Sequence, residues 1–136
     1  MVDNNIKHLE MIQQIINRMA QNSFALKGWV VTLISGIFLL ATKDANSLFF
    51  LIAYVPIFLF WIIDSYYLQL ERKFRKKYDL IRKLTIETDF DMKLDNSHWF
   101  DKTTLCQTLM SFTEVGFYIP TAIIVAILAI LSKNLQ

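Results

Sequence analysis

The sequence predicts an all-α membrane protein with three transmembrane helices. The chain has 136 residues, of which 54% are hydrophobic and only 19% are charged. Three runs, 28–42, 47–63 and 115–132, contain no charged residue, and each extends to the roughly 17–25 residues that cross a bilayer as a helix. This composition excludes intrinsic disorder and leaves no room for a separate soluble domain. The chain, 1–136, is therefore predicted to be one integral membrane domain.

The first element is an amphipathic helix over residues 4–22, which leads into the first span over 24–42. Apolar residues recur there at spacings of three and four, as on one face of a helix; they are Ile6, Leu9, Ile12, Ile16 and Met19. The helix either lies along the inner membrane surface or continues the first span inward, and both placements remain open. Lys27 and Trp29 are expected at the level of the lipid headgroups.

The second span covers residues 47–66 and follows the first after a link of about four residues. So short a link predicts an antiparallel helical hairpin. Pro56 lies within the second span, where it removes one backbone donor and frees the carbonyl of Ile52. We therefore expect a bend near the middle of the membrane, and Pro56 is the candidate hinge.

A long stalk is predicted to extend the second span beyond the membrane. The helical pattern continues past an aromatic belt with no Gly or Pro, so a helix over residues 47–84 would be about 57 Å long. Two acidic residues, Glu71 and Asp79, each precede a basic residue by four positions, the order that favours helix-surface pairs. The expected partners are Arg75 and Lys83.

The remainder of the chain is divided between a polar segment and the third span. Residues 67–113 comprise the stalk, an acidic loop over 85–95 and a short amphipathic helix, and the third span covers 115–132. A stripe of small residues in this span suits close helix packing in lipid; it consists of Ala122, Ala126 and Ala129.

Charge is distributed very unevenly, although the net charge is only +2. Of the 14 Lys and Arg residues, nine lie between the second and third spans and only two, Lys43 and Lys133, fall on the opposite side. By the positive-inside rule, the N-terminus and the segment over about 66–113 face the cytoplasm, and the C-terminus lies outside.

Seven of these positive charges lie within the twelve residues 72–83, and they form a candidate ligand site. Standing away from the bilayer, they could bind a phosphate-rich ligand such as a nucleotide or single-stranded nucleic acid. The alternative is a topology signal that also pairs with anionic lipid headgroups. Phe74 and Tyr78 suit either base stacking or helix packing. Our candidates for ligand contact are Arg72, Arg75, Lys76, Arg82 and Lys83.

Few polar residues lie within the predicted spans, and they are candidates for a pore. Thr32, Ser35 and Gly36 share one side of the first span, and Asp64 and Glu114 lie near the inner ends of the second and third. The first group could line a pore that the two carboxylates guard. Alternatively, the small residues pack helices and the acids face cytoplasmic water. Three helices cannot shield an aqueous path alone, so conduction requires a homo-oligomer.

No catalytic or metal-binding constellation is recognisable. His8, His98 and Cys106 are scattered along the chain, and no HExxH motif or Gly-rich phosphate loop occurs. We therefore expect neither an enzyme nor a cofactor or metal site. Cys106, as a lone cysteine, cannot form an intrachain disulfide.

Several stretches resemble a group of small bacterial three-span membrane proteins, including membrane effectors of anti-phage defence systems of the Hailong type. They are His8–Glu10, Ile15–Met19, Asn22–Trp29, Phe60–Leu68, Glu71-Arg72, Phe74-Arg75, Asp89–Met92 and Phe117–Pro120. The resemblance implies a homotetrameric ion channel in the bacterial inner membrane. It further implies closure by an oligonucleotide from a partner nucleotidyltransferase, opening on infection, and depolarisation of the cell.

Two functions from different classes follow. The leading hypothesis is a pore-forming effector, a ligand-gated homo-oligomeric channel with the stalk as its sensing module and lipids as its surroundings. The alternative is a non-conducting membrane anchor or scaffold whose cytoplasmic helices recruit a soluble partner. In that case Thr32, Ser35 and Gly36 would only pack helices.

Overall fold

The computed structural model describes residues 2–44, 48–83, 90, 92–94 and 104–134. Most of these residues are helical, and none of them lies in a strand. The helices are α1 (Val2–Asp44), α2 (Leu48–Arg82), α3 (Leu105–Leu109) and α4 (Phe112–Asn134). Three of them are long and apolar enough to cross a membrane, over Asn5–Ala41, Phe50–Arg82 and Phe112–Leu131. The predicted all-α class with three candidate spans is therefore confirmed.

The amphipathic N-terminal segment and the first span form one continuous helix. Helix α1 has 43 residues, a length of about 65 Å, which is twice the roughly 30 Å of bilayer hydrocarbon. It does not break at Asn22 and Ser23, the polar pair between the two predicted segments. Of the two placements left open by the sequence, the structure has the one in which the N-terminal helix continues the first span.

Helix α2 is the central element and carries the predicted stalk, defined here as residues 67–82. Its 35 residues correspond to about 52 Å, and Pro56 lies inside it without ending it. Helix α2 packs on α1 along much of its length, and on α3 and α4. The hairpin-like pairing of α1 with α2 agrees with the short predicted link over 43–46, of which residues 45 and 46 lie outside the described part.

One of the two predicted stalk ion pairs is present, and the other has a different partner. Arg75 Nε donates to Glu71 Oε1 at 2.8 Å. The expected partner of Asp79 was wrong, because its Oδ1 lies 3.5 Å from Arg82 Nη2 instead of pairing with Lys83. Residues three apart are as close on a helix as residues four apart. The Asp79 and Arg82 side chains are more than half exposed, so this pair contributes little stability.

Two separate apolar cores hold the helices together. The membrane core contains the buried side chains of Val30, Ile34, Ala53, Ile57, Tyr118 and Val125, from α1, α2 and α4. The stalk core contains Ile12, Ile16 and Ile81, with Leu9, Phe74, Tyr78 and Met92 packed against them. The apolar face of the N-terminal helix therefore packs on the stalk, and Phe74 and Tyr78 serve helix packing rather than an open stacking surface.

His8 adds a polar group to the stalk core. It is 1% exposed, and its ring stacks on Phe90 with 5.5 Å between centroids. Neither ring nitrogen has a hydrogen-bond partner in the described part of the chain. The other residues of the predicted acidic loop, apart from Phe90 and residues 92–94, lie outside the described residues, as does His98.

The short helix α3 begins with a capping box. Gln107 N donates to Thr104 Oγ1 at 3.4 Å, and Thr104 N donates to Gln107 Oε1 at 3.5 Å, so two backbone donors at the helix start are satisfied reciprocally. The predicted short amphipathic helix is thus present at Leu105–Leu109. A turn at residues 110–111 then leads directly into α4.

We expect Ile12→Ala to loosen the stalk core selectively. Ile12 is fully buried, and truncating a buried Ile to Ala typically costs about 2–5 kcal/mol. Hydrogen–deuterium exchange should therefore accelerate in residues 5–16 and 74–82 but not around the membrane core. Ile6→Ala is the matched control, because Ile6 is 49% exposed on the same helix. Equal exchange rates in the two variants would show that Ile12 does not stabilise the packing of the N-terminal helix on the stalk.

Candidate functional site

The main polar feature of the fold is a charged cluster formed by Lys27, Asp64 and Glu114. Each is the first ionisable residue at one end of a charge-free run, before 28–42, after 47–63 and before 115–132. Because α1 and α4 run opposite to α2, these three ends lie at the same level. The packing of the three helices therefore brings one charge from each of them together.

Lys27 lies at the centre of the charged cluster and contacts both acidic residues. Its Nζ forms an ion pair with Asp64 Oδ2, lies 3.2 Å from Glu114 Oε1, and donates to Ser23 Oγ at 3.1 Å. The lysine side chain is 16% exposed, whereas both carboxylate side chains are 0% exposed. Charge-assisted hydrogen bonds of this kind are stronger than neutral ones, so the cluster ties together all three candidate spans.

Aromatic side chains enclose the charged cluster. The fully buried Tyr118 donates its hydroxyl to Asp64 Oδ2 at 3.0 Å and stacks on Trp61, with 5.9 Å between ring centroids and an interplanar angle of 13°. Lys27 Nζ lies 5.9 Å from the ring centroids of both Phe117 and Tyr118, within the range of cation–π attraction. These contacts hold the ammonium among carboxylates and rings.

Several polar atoms around the charged cluster are buried without a hydrogen-bond partner in the described part of the chain. They are Asp64 Oδ1, Glu114 Oε2, Ser65 Oγ and Trp61 Nε1. Unsatisfied buried groups are costly and uncommon in folded proteins. In a protein that crosses a membrane, buried ionisable residues at span level mark a functional site by default. We therefore take the charged cluster as the candidate functional site.

The structure corrects two expectations for these residues. Lys27 does not extend toward headgroups, because two carboxylates attract its ammonium inward. Asp64 and Glu114 do not face water, since both are fully buried. The sequence contained a signal for this cluster, because each of the three residues is the first charge at one end of a charge-free run. It did not show that these three ends lie side by side.

The candidate pore-lining residues lie on the opposite side of α1 from the membrane core. Thr32, Ser35 and Gly36 are exposed, and a Cβ added at Gly36 would meet no atom within 4 Å. The two hydroxyls donate to carbonyls of their own helix, Thr32 Oγ1 to Gly28 O at 2.9 Å and Ser35 Oγ to Val31 O at 2.8 Å. The three residues thus form an exposed polar face on α1.

The candidate ligand-binding residues follow one side of the stalk, opposite the stalk core. Spacings of three, four and seven place Arg72, Arg75, Lys76, Arg82 and Lys83 on a common face of the helix, here called the basic stripe. Arg72 is half-buried, and its Nη2 donates to Ser111 Oγ at 2.6 Å, which connects the stalk to the start of α4. Arg75, Arg82 and Lys83 are exposed. The structure therefore places these five residues on one face of the stalk, separate from the charged cluster.

The described residues contain no group of three or more His, Cys, Asp or Glu side chains that could hold a metal ion. Cys106 is exposed and free. The charged cluster therefore stands as the candidate site on its own contacts. No protein-family model, no curated protein and no solved structure matches the chain.

Proposed function

We propose that the protein is a non-enzymatic, pore-forming membrane effector. It acts as a ligand-gated, homo-oligomeric ion channel, with a tetramer favoured by the resemblance to Hailong-type effectors, and depolarises the bacterial inner membrane in anti-phage defence. The three helices long and apolar enough to cross a membrane support this proposal. In the proposed topology, the N-terminus and the stalk face the cytoplasm and the C-terminus lies outside.

The observation that carries the proposal is the polar face of α1. Thr32, Ser35 and Gly36 point away from the membrane core, so a single subunit would expose hydroxyls and a bare helix backbone to lipid. Assembly of several subunits would turn this face toward a shared axis, where hydroxyl oxygens can contact water and ions. The face therefore has a use in an oligomeric pore that it lacks in the isolated chain.

The basic stripe is the proposed sensor for an oligonucleotide ligand. Its exposed guanidinium and ammonium groups suit phosphates, and symmetry would bring several stripes together around one ligand. Arg72 contacts Ser111, three residues before Glu114, so a phosphate that attracts Arg72 would compete with this contact. Ligand binding would thereby act on the start of α4 and on the charged cluster.

The experiment that tests the pore is conductance of the purified protein in planar bilayers, with its mass in detergent measured in parallel. Discrete openings from an assembly of several subunits are expected. A silent monomer or dimer, unresponsive to oligonucleotides, would refute the channel.

Pro56→Ala tests the hinge in the same assay, since a bend that gates the pore should change the open probability while the unit conductance stays the same.

One observation favours the alternative of a non-conducting membrane anchor or scaffold that recruits a soluble partner. The hydroxyls of Thr32 and Ser35 are satisfied by their own helix at 2.9 and 2.8 Å, so they need no water and can pack against another helix. The stalk would then be a docking surface. Silence in the bilayer, together with capture of a soluble partner by the stalk, would support this function.

Charge reversal in the basic stripe is expected to abolish ligand control. The variant Arg75→Glu/Lys76→Glu/Arg82→Glu should bind a short single-stranded oligonucleotide at least about tenfold more weakly, because three phosphate contacts become repulsive. Arg72 is left unchanged because it contacts Ser111. The control is Lys7→Glu/Arg18→Glu/Lys73→Glu, which gives the protein the same net charge through substitutions outside the stripe. Equal loss of binding, measured by fluorescence anisotropy, would show that only overall charge matters.

A further inference from the structure

The charged cluster contains two acidic groups and one basic group. One ammonium, from Lys27 on α1, faces two carboxyl groups, Asp64 on α2 and Glu114 on α4. Tyr118 and Ser23 contribute neutral hydroxyls to the same contacts. With both acids ionised, the cluster would carry a net charge of −1 in a place where both carboxyl groups are fully buried. An uncompensated buried charge is strongly disfavoured.

The unpartnered atoms show where a balancing cation would lie. Asp64 Oδ1 and Glu114 Oε2 are buried and have no hydrogen-bond partner among the described residues. The other oxygen of each carboxyl group contacts the same ammonium, so the two groups are neighbours. The cluster thus has two buried acceptor oxygens, each free to take a bond to hydrogen or to a cation.

We propose that the charged cluster is a proton-binding site, which holds one proton on the carboxyl pair next to Lys27. A metal cation suits the cluster less well, because hard cations are held by roughly six oxygen ligands. Among the described residues, the buried oxygens without a partner at this cluster are three, namely the two carboxyl oxygens and Ser65 Oγ. The ammonium of Lys27 would also repel a metal cation. A proton needs only one oxygen.

Glu114 is the carboxyl group that takes this proton. Asp64 Oδ2 accepts hydrogen bonds from both Lys27 and Tyr118, and hydrogen bonds to a carboxylate favour its charged form. Glu114 accepts one such bond from Lys27, at 3.2 Å, and no second hydroxyl or ammonium of the described residues donates to it. A proton on Glu114 leaves a neutral arrangement in which Lys27 and Asp64 form one ion pair.

Infrared spectroscopy of the full chain in lipid nanodiscs tests this proposal without requiring conduction. Near neutral pH in potassium buffer, the wild type should show the carbonyl stretch of one protonated carboxyl group, which shifts in heavy water. Glu114→Gln should remove this band. Asp79→Asn is the control, since its carboxylate is 58% exposed and paired on the stalk, and it should leave the band in place. Lys27→Met should add a second band of similar intensity, because the remaining pair then needs two protons for neutrality.

Three outcomes would overturn the proposal. The first is a wild-type spectrum without an exchangeable carboxyl band. The second is a band that persists unchanged in both Glu114→Gln and Asp64→Asn, which would place the proton elsewhere. The third is a wild-type band lost when sodium replaces potassium at constant pH, which would identify the ligand as a metal cation. The wild-type measurements need no substitution, so a variant that fails to fold leaves the proposal testable. A failed pore would leave this band unaffected, so the two proposals fail separately.

Discussion

Replacing Lys27 by methionine is expected to destabilise the helical assembly by about 3–5 kcal/mol, the usual cost of removing one partner from a buried ion pair. Methionine retains an unbranched apolar chain but removes the ammonium, so the carboxyl pair must bind a second proton or keep an unbalanced buried charge. Both carboxyl groups are fully buried, so water cannot take over the role of the ammonium. The measurement is unfolding by sodium dodecyl sulfate in mixed micelles, followed by circular dichroism.

Two variants show whether the loss arises from unbalanced charge. Lys27→Met combined with Asp64→Asn and Glu114→Gln should recover most of the stability, because neutralising all members of a buried ionic group is often nearly neutral or even stabilising. Lys73→Met, on the stalk, should change stability by less than about 0.5 kcal/mol. If Lys27→Met were as stable as Lys73→Met, the charged cluster would have no structural role.

The second large effect is expected at the polar face of α1. In a Cys106→Ser background, chosen because Cys106 is an exposed free thiol, Ser35→Cys should make the conductance sensitive to a cationic thiosulfonate reagent. The added bulk and positive charge at each subunit should lower the current at least about tenfold, as obstruction and charge in a narrow pore do. The current before the reagent is added provides the reference in each bilayer.

Phe58→Cys in the same background is the matched control for pore access. Phe58 is 62% exposed and lies on α2, outside the polar face of α1. The reagent should leave its current unchanged, since this position would face lipid. Equal block at both positions, or no block at Ser35→Cys in a conducting protein, would remove α1 from the conduction path.

The helices were largely predictable because their signals are local in sequence. Charge-free runs of sufficient length define the three candidate spans, and the helix predicted over residues 47–84, which joins the second span to the stalk, closely matches Leu48–Arg82. The continuity of α1 through Asn22 was left open, because a polar pair allows either a cap or an uninterrupted helix. The prediction of the partner of Asp79 was wrong for a related reason, since Arg82 and Lys83 both lie within reach of Asp79 on the same helix.

The candidate site was named residue by residue but not assembled. Lys27 was interpreted as a residue at the headgroups, and Asp64 and Glu114 as residues that either guard a pore or face cytoplasmic water. Each interpretation is reasonable for a helix considered alone, because a charge at the end of a span can usually reach the interface. Pairing requires the relative rotation and depth of three helices, and these depend on how the membrane core packs.

The sequence by itself therefore determined the helical class, the number of candidate spans, the length of the stalk and the uneven charge. These properties follow from composition and periodicity over short stretches. Only the tertiary structure decided that Lys27 lies between two buried carboxyl groups, and that Phe74 and Tyr78 face the N-terminal helix. The physical reason is that burial is a property of packed surfaces: residues 37 and 87 positions apart from Lys27 become its partners only when three apolar helices close around them.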